Sequence, residues 1–137
     1  MCLITDSSKF KIAEEDITCY KVAVSINETA YRTPMRQFYF ELGKTYEDTE
    51  KIYAKPEDDT YIIEGGVFHS YVNLKDVPRL KKIHSLLKQY PGLNHDIIKC
   101  TIPKGTEYIE GFFGTAASYG SRAIRFEKNI THDNLKQ

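Results

Sequence analysis

The chain has 137 residues, enough for one domain that buries about two-thirds of its unfolded surface in a single core without staples. Hydrophobic residues make up 41% and charged ones 28%, and ten Tyr with seven Phe supply bulky core material, which excludes global disorder. Nineteen basic side chains balance nineteen acidic ones, so the broad attraction behind sequence-independent nucleic-acid binding is missing and no strong nucleic-acid signal is read.

The three cysteines, Cys2, Cys19 and Cys100, are odd in number, far apart and in no Cys-x-x-Cys spacing, so they suggest neither a disulfide framework nor a structural zinc site. They read as reduced thiols of a cytoplasmic protein. The N-terminus lacks a basic region followed by a long apolar run, and no stretch approaches about 18 apolar residues, which predicts neither secretion nor a membrane partner. Asn129-Ile130-Thr131 matches a glycosylation acceptor and, without a signal peptide, is read as chance.

In chain order, residues 1 to 15 are polar and unpatterned, and the same holds for 128 to 137, which predicts loosely docked ends around a core at about 16–127. Residues Ile17 to Val24 are rich in β-branched and aromatic side chains, the mark of a central strand. Gln37 to Leu42 sets Phe38, Phe40 and Leu42 on one face against Gln37, Tyr39 and Glu41, which predicts a half-buried strand ended by Gly43. Lys55 to Thr60 reads as a loop. Tyr61 to Ile63 and Val67-Phe68 bracket Gly65-Gly66, predicting two short strands or one broken by a bulge. From an Asn73 N-cap, Val77, Leu80, Ile83, Leu87 and Tyr90 fall on one helical stripe, with Arg79, Lys81, Lys82 and Lys88 on the solvated side. Pro91-Gly92 ends that helix. Asp96 to Ile102 and Thr106 to Glu110 flank a Pro103-Lys104-Gly105 turn and suggest a hairpin, and Ser121 to Glu127 reads as a last strand with Ile124 and Phe126 inward. The fold class expected is α+β: a mostly antiparallel twisted sheet of about six short strands with one main α-helix, in a single globular domain.

Several motifs, Phe40-Glu-Leu-Gly-Lys-x-Tyr46, Gly66-x-Phe-His-Ser-Tyr71, Lys99-Cys-x-Ile-Pro-Lys-Gly-x-x-Tyr108 with Gly111, and Tyr119-x-Ser121 with Ile124, follow one another in a recognisable order. With them, residues 16 to 127 resemble a group of small uncharacterised bacteriophage and gut-bacterial proteins marked by a Gly-Phe-His-type motif. The order of Ile17 to Val24, Phe68-His-Ser70 and Ile102-Pro-Lys-Gly105 is also similar to the ADP-ribosyltransferase fold. That likeness implies an NAD cleft. The catalytic pattern departs from it, because Tyr20-Lys21 stands where an arginine or histidine is expected and Arg122 and Arg125 stand near the place of the catalytic glutamate.

The candidate site is the glycine-hinged Gly65 to Tyr71 segment. His69 has the side-chain chemistry of a general base, but strand alternation sends it and Ser70 to opposite faces, so the two form no dyad. His69, His84, His95 and His132 have no short ligand spacing, and no metal and no cofactor are expected. His69, Ser70, Tyr71, Lys104, Tyr119 and Arg122 are therefore the expected ligand-binding residues of a non-catalytic module. Its partner would be a phosphate-bearing small molecule or a protein. The alternatives are a diverged ADP-ribosyltransferase using Glu107 or Glu110, and a purely structural or interaction module. The pattern fixes no oligomeric state.

Overall fold

In a computed structural model, which describes residues 3–7, 9–27, 29–33, 38–77 and 95–131, the chain folds as one antiparallel sheet. Its strands are β1 (Leu3–Thr5), β2 (Lys11–Ile12), β3 (Ile17–Ser25), β4 (Ala30–Arg32), β5 (Tyr39–Glu41), β6 (Thr45–Glu47) and β7 (Ala54–Glu57). They continue with β8 (Thr60–Ile63), β9 (Phe68–Tyr71), β10 (His95–Ile102), β11 (Glu107–Phe113), β12 (Ala116–Ser121) and β13 (Ala123–Asn129). The main path runs β6-β13-β10-β3-β9-β12-β11-β1-β8-β7, with β2 on β11 and β4 and β5 branching from β3. The edge strand β7 carries Lys55, Pro56 and Glu57, all exposed. Proline and charge at an edge discourage further strand addition.

This architecture corrects the α+β expectation. Thirteen strands replace about six, and among the described residues the sole helical element is a 3₁₀ turn, Leu74–Asp76. Asn73 makes no side-chain cap to the backbone, and Val77 is already extended, with φ −66° and ψ 127°. The remainder of the expected helix, including Arg79, Lys81, Lys82 and Lys88, lies outside the described residues. The strand count was underestimated because short, half-exposed strands carry little apolar alternation of their own. Ala116–Ser121, whose small side chains show no apolar alternation, is β12, held between β11 and β9.

The expected strand at 17–24 is present as β3 and central, flanked by β10 from Ile17 to Val24 and by β9 at Tyr20↔Tyr71. Its β-branched and aromatic content suits a ladder with neighbours on both sides. The hairpin expected across Pro103-Lys104-Gly105 does not form, because β10 pairs with β3 and β13 while β11 pairs with β12, β1 and β2. Residues 3–5, left unpatterned by the sequence reading, form β1 between β8 and β11 with Leu3 buried.

Two apolar cores occupy opposite faces of the sheet. Cys19, Ala23, Phe68, Ile98, Cys100, Ile102, Ile124 and Phe126 form the larger one with Tyr31 and Phe40. Phe40 stacks on Phe126 with ring centroids 3.7 Å apart. The smaller comprises Leu3, Ile63 and Ile109, with Ile52, Ala54 and Val67 against it. The register separates them: Ile109 is opposite Gly120 and Gly120 opposite His69, whereas Phe68 is opposite Ser121. Side chains alternate along a strand, so Ile109 and His69 share the face that Phe68 does not.

Candidate functional site

The Gly65-Gly66 bend is a fixed structural joint. Both glycines have positive φ, 92° and 77°, a region that L side chains adopt at a cost. Gly66 is also crowded, since a Cβ there would stand 2.9 Å from Ile52 Cα and from the Lys51 carbonyl oxygen. Arg122 locks this joint: its Nη1 donates to the Glu50 carbonyl at 2.7 Å and to the Gly66 carbonyl. Its guanidinium is thereby committed to backbone carbonyls.

His69 leaves the bend on β9 and enters an aromatic pocket, with its ring centroid 4.9 Å from Tyr71 and 5.1 Å from Phe113. Burial, reinforced by the nearby Lys21 ammonium, pushes its pKa down to about 3, so the imidazole is neutral at physiological pH. Its Nε2 is buried without a hydrogen-bond partner. A base in catalysis needs an orienting partner and a proton to reach. His69 has neither here and serves as a packing group.

Ser70 points to the opposite face, as strand alternation requires. It is fully buried in contact range of the larger core, and its Oγ finds no nitrogen or oxygen partner. Beside it stands the Cys19 thiol, a weak donor and acceptor at best. Tyr71 is buried next to His69, which raises its phenol pKa. Lys104 is exposed in its turn, where its backbone N–H donates to Asp16 Oδ1 at 2.9 Å. The turn therefore belongs to the start of β3, away from the Gly65 bend. Tyr119 shares the Ser70 face, 5.8 Å from Tyr108 between ring centroids. The six expected residues thus divide among a core, an aromatic pocket, a backbone clamp, an exposed turn and a sheet face.

No protein-family model, no curated protein and no solved structure matches this chain. Among the described residues, no three or more His, Cys, Asp or Glu side chains gather closely enough to hold a metal ion. No helix among them is long and apolar enough to cross a membrane. His84 and His132 lie outside the described residues.

The feature that sequence reasoning missed is a row of apolar side chains across four strands and the residue that follows β9. Ile62, Ile4, Phe112 and Ala117 are successive register partners on β8, β1, β11 and β12. Val72, whose N–H donates to the Ala117 carbonyl, extends the row. Ile4 is 40% and Phe112 49% exposed, although Leu3, Ile63 and Ile109 on the other face of the same strands are buried. Beside the row opens a pocket of about 420 Å³ lined by Lys9, Lys11, Glu110, Phe112, Ala117 and Tyr119. Lys11 and Glu110 bridge across its wall at 3.3 Å. The hydrophobic pair Phe112-Phe113 was the available signal. The structure splits it, sending Phe113 onto His69 and Phe112 outward.

Proposed function

We propose that the protein is a non-catalytic binding module that docks a protein surface, and that the occupant is a second copy of this chain. The reading rests on the Ile62–Ile4–Phe112–Ala117–Val72 row, an apolar stripe with Ile4 and Phe112 exposed and the other three half-buried, on strands whose opposite face is already packed. Contiguous exposed apolar surface of this kind marks an interaction site. The rim chooses the partner. It carries Lys9 and Lys11 together with Asp6 and Glu110, and a patch bearing both signs is its own complement under a twofold axis. Zero net charge on the chain removes long-range repulsion between copies.

A phosphate-bearing small molecule is the weaker reading, since Arg122 is held by two backbone carbonyls and Lys104 sits by Asp16. Sedimentation equilibrium over a hundredfold range of protein concentration tests the proposal against Phe112→Asp. A dimer that forms with concentration, and that Phe112→Asp disperses while circular dichroism and Tm are retained, supports it. A wild-type chain that stays monomeric throughout, or a dimer indifferent to Phe112→Asp, overturns it.

A further inference from the structure

Cys19 and Cys100 are directly opposite each other in the register of β3 and β10, the most extensively paired strands of the sheet. Both are free, fully buried and part of the same core cluster, so their side chains project from one face. Directly opposed residues of an antiparallel pair have Cα atoms about 4.5–5.5 Å apart, inside the span of about 4.4–6.8 Å that a disulfide bridges. Their thiols feel each other, since Cys19 opposes ionisation of Cys100. Among the described residues, Cys100 Sγ has one further contact, a weak 3.5 Å approach to the Ile98 carbonyl.

We propose that Cys19 and Cys100 form a modification site, a dithiol that hydroperoxides convert into a cross-strand disulfide. One thiolate attacks the peroxide O–O bond and becomes a sulfenic acid, releasing hydroxide that is protonated to water. The second sulfur then displaces the sulfenic hydroxyl as a second water, so two thiols and one hydrogen peroxide give one disulfide and two waters. The sulfurs are oxidised by two electrons and the peroxide oxygens are reduced. The reaction is slow in the native state. Burial raises the Cys19 thiol to about 11 and Cys100 well above its ordinary value, and the nearby Lys21 ammonium pulls the other way for both with a smaller effect. Thiolate is therefore scarce until the two strands open locally. Once formed, the bond closes a long loop of chain through the centre of the sheet and restrains the unfolded ensemble.

The test is to hold the full chain in hydrogen peroxide for hours to days, alkylate it in denaturant and map its peptides without reduction. The expected product is a Cys19–Cys100 cross-linked peptide lacking two hydrogens, with a Tm higher by roughly 5 °C or more that dithiothreitol reverses. Cys2→Ser, which leaves these two as the sole cysteines, should give the same product within one chain, independent of protein concentration. Thiols that remain alkylatable, sulfurs that only gain oxygen, or cross-links that involve Cys2 or join two chains overturn the proposal.

Discussion

Acid should weaken this protein through His69 in a way that one substitution can isolate. The ring lies against Tyr71 and Phe113 with its pKa pushed down to about 3, whereas in the unfolded chain it returns to its ordinary 6.5. The unfolded chain thus takes up the proton first, and stability must fall as pH falls. The His69 contribution is complete above about pH 6.5 and declines by about 1.4 kcal/mol per pH unit until about pH 3. Between about pH 7 and pH 4.5 the loss is about 2.5 kcal/mol, a large share of the roughly 5–15 kcal/mol that holds a domain folded. His69→Phe keeps an aromatic ring in the pocket, removes the unpartnered Nε2 and cannot titrate. Urea unfolding of both proteins at the two pH values gives the comparison, in which carboxylates common to both cancel. The wild type should lose about 2.5 kcal/mol more than His69→Phe on acidification. Parallel losses in the two proteins would refute the buried, neutral imidazole.

The Gly65-Gly66 bend separates conformational strain from crowding. Gly65→Ala meets open space and should cost about 1 kcal/mol for its positive φ, whereas Gly66→Ala also drives a methyl into Ile52 and Lys51 and should cost about 2 kcal/mol more. Equal Tm losses would show that the Ile52 backbone moves away freely. Arg122→Lys retains the charge but cannot hold the Glu50 and Gly66 carbonyls with one planar group, so it should lower stability by about 1.5–3 kcal/mol in urea titrations. Unchanged stability would return Arg122 to the list of groups available to a ligand.

Much of the larger core was legible in local pattern. The inward placement of Phe40, Ile98, Cys100, Ile102, Ile124 and Phe126 follows from alternation within single strands, and all six are buried. The opposite orientation of His69 and Ser70 follows from the same rule. Convergence was not fully legible: Arg122 does reach the Gly65-Gly66 bend, but as a clamp on its carbonyl, whereas Lys104 lies with Asp16 at the start of β3 and His69 packs against Phe113. The apolar row was hidden for a related reason. Ile62, Ile4, Phe112, Ala117 and Val72 come from separate stretches of chain, and each alone reads as an ordinary strand or loop residue.

By itself, the sequence determined that this chain folds around aromatic and β-branched strands, that it carries no net charge, and which side chains share a face in the strands around Phe40, Ile98–Ile102 and Ile124–Phe126. These properties are local or additive, so they need no knowledge of what lies alongside. Only the tertiary structure decided that β3 lies between β10 and β9, that two cores sit on opposite faces, that Arg122 clamps the Gly66 bend, and that Cys19 meets Cys100. Each depends on strand order and register between segments far apart in the chain. A period-2 pattern specifies which face a side chain takes and leaves open which strand is its neighbour.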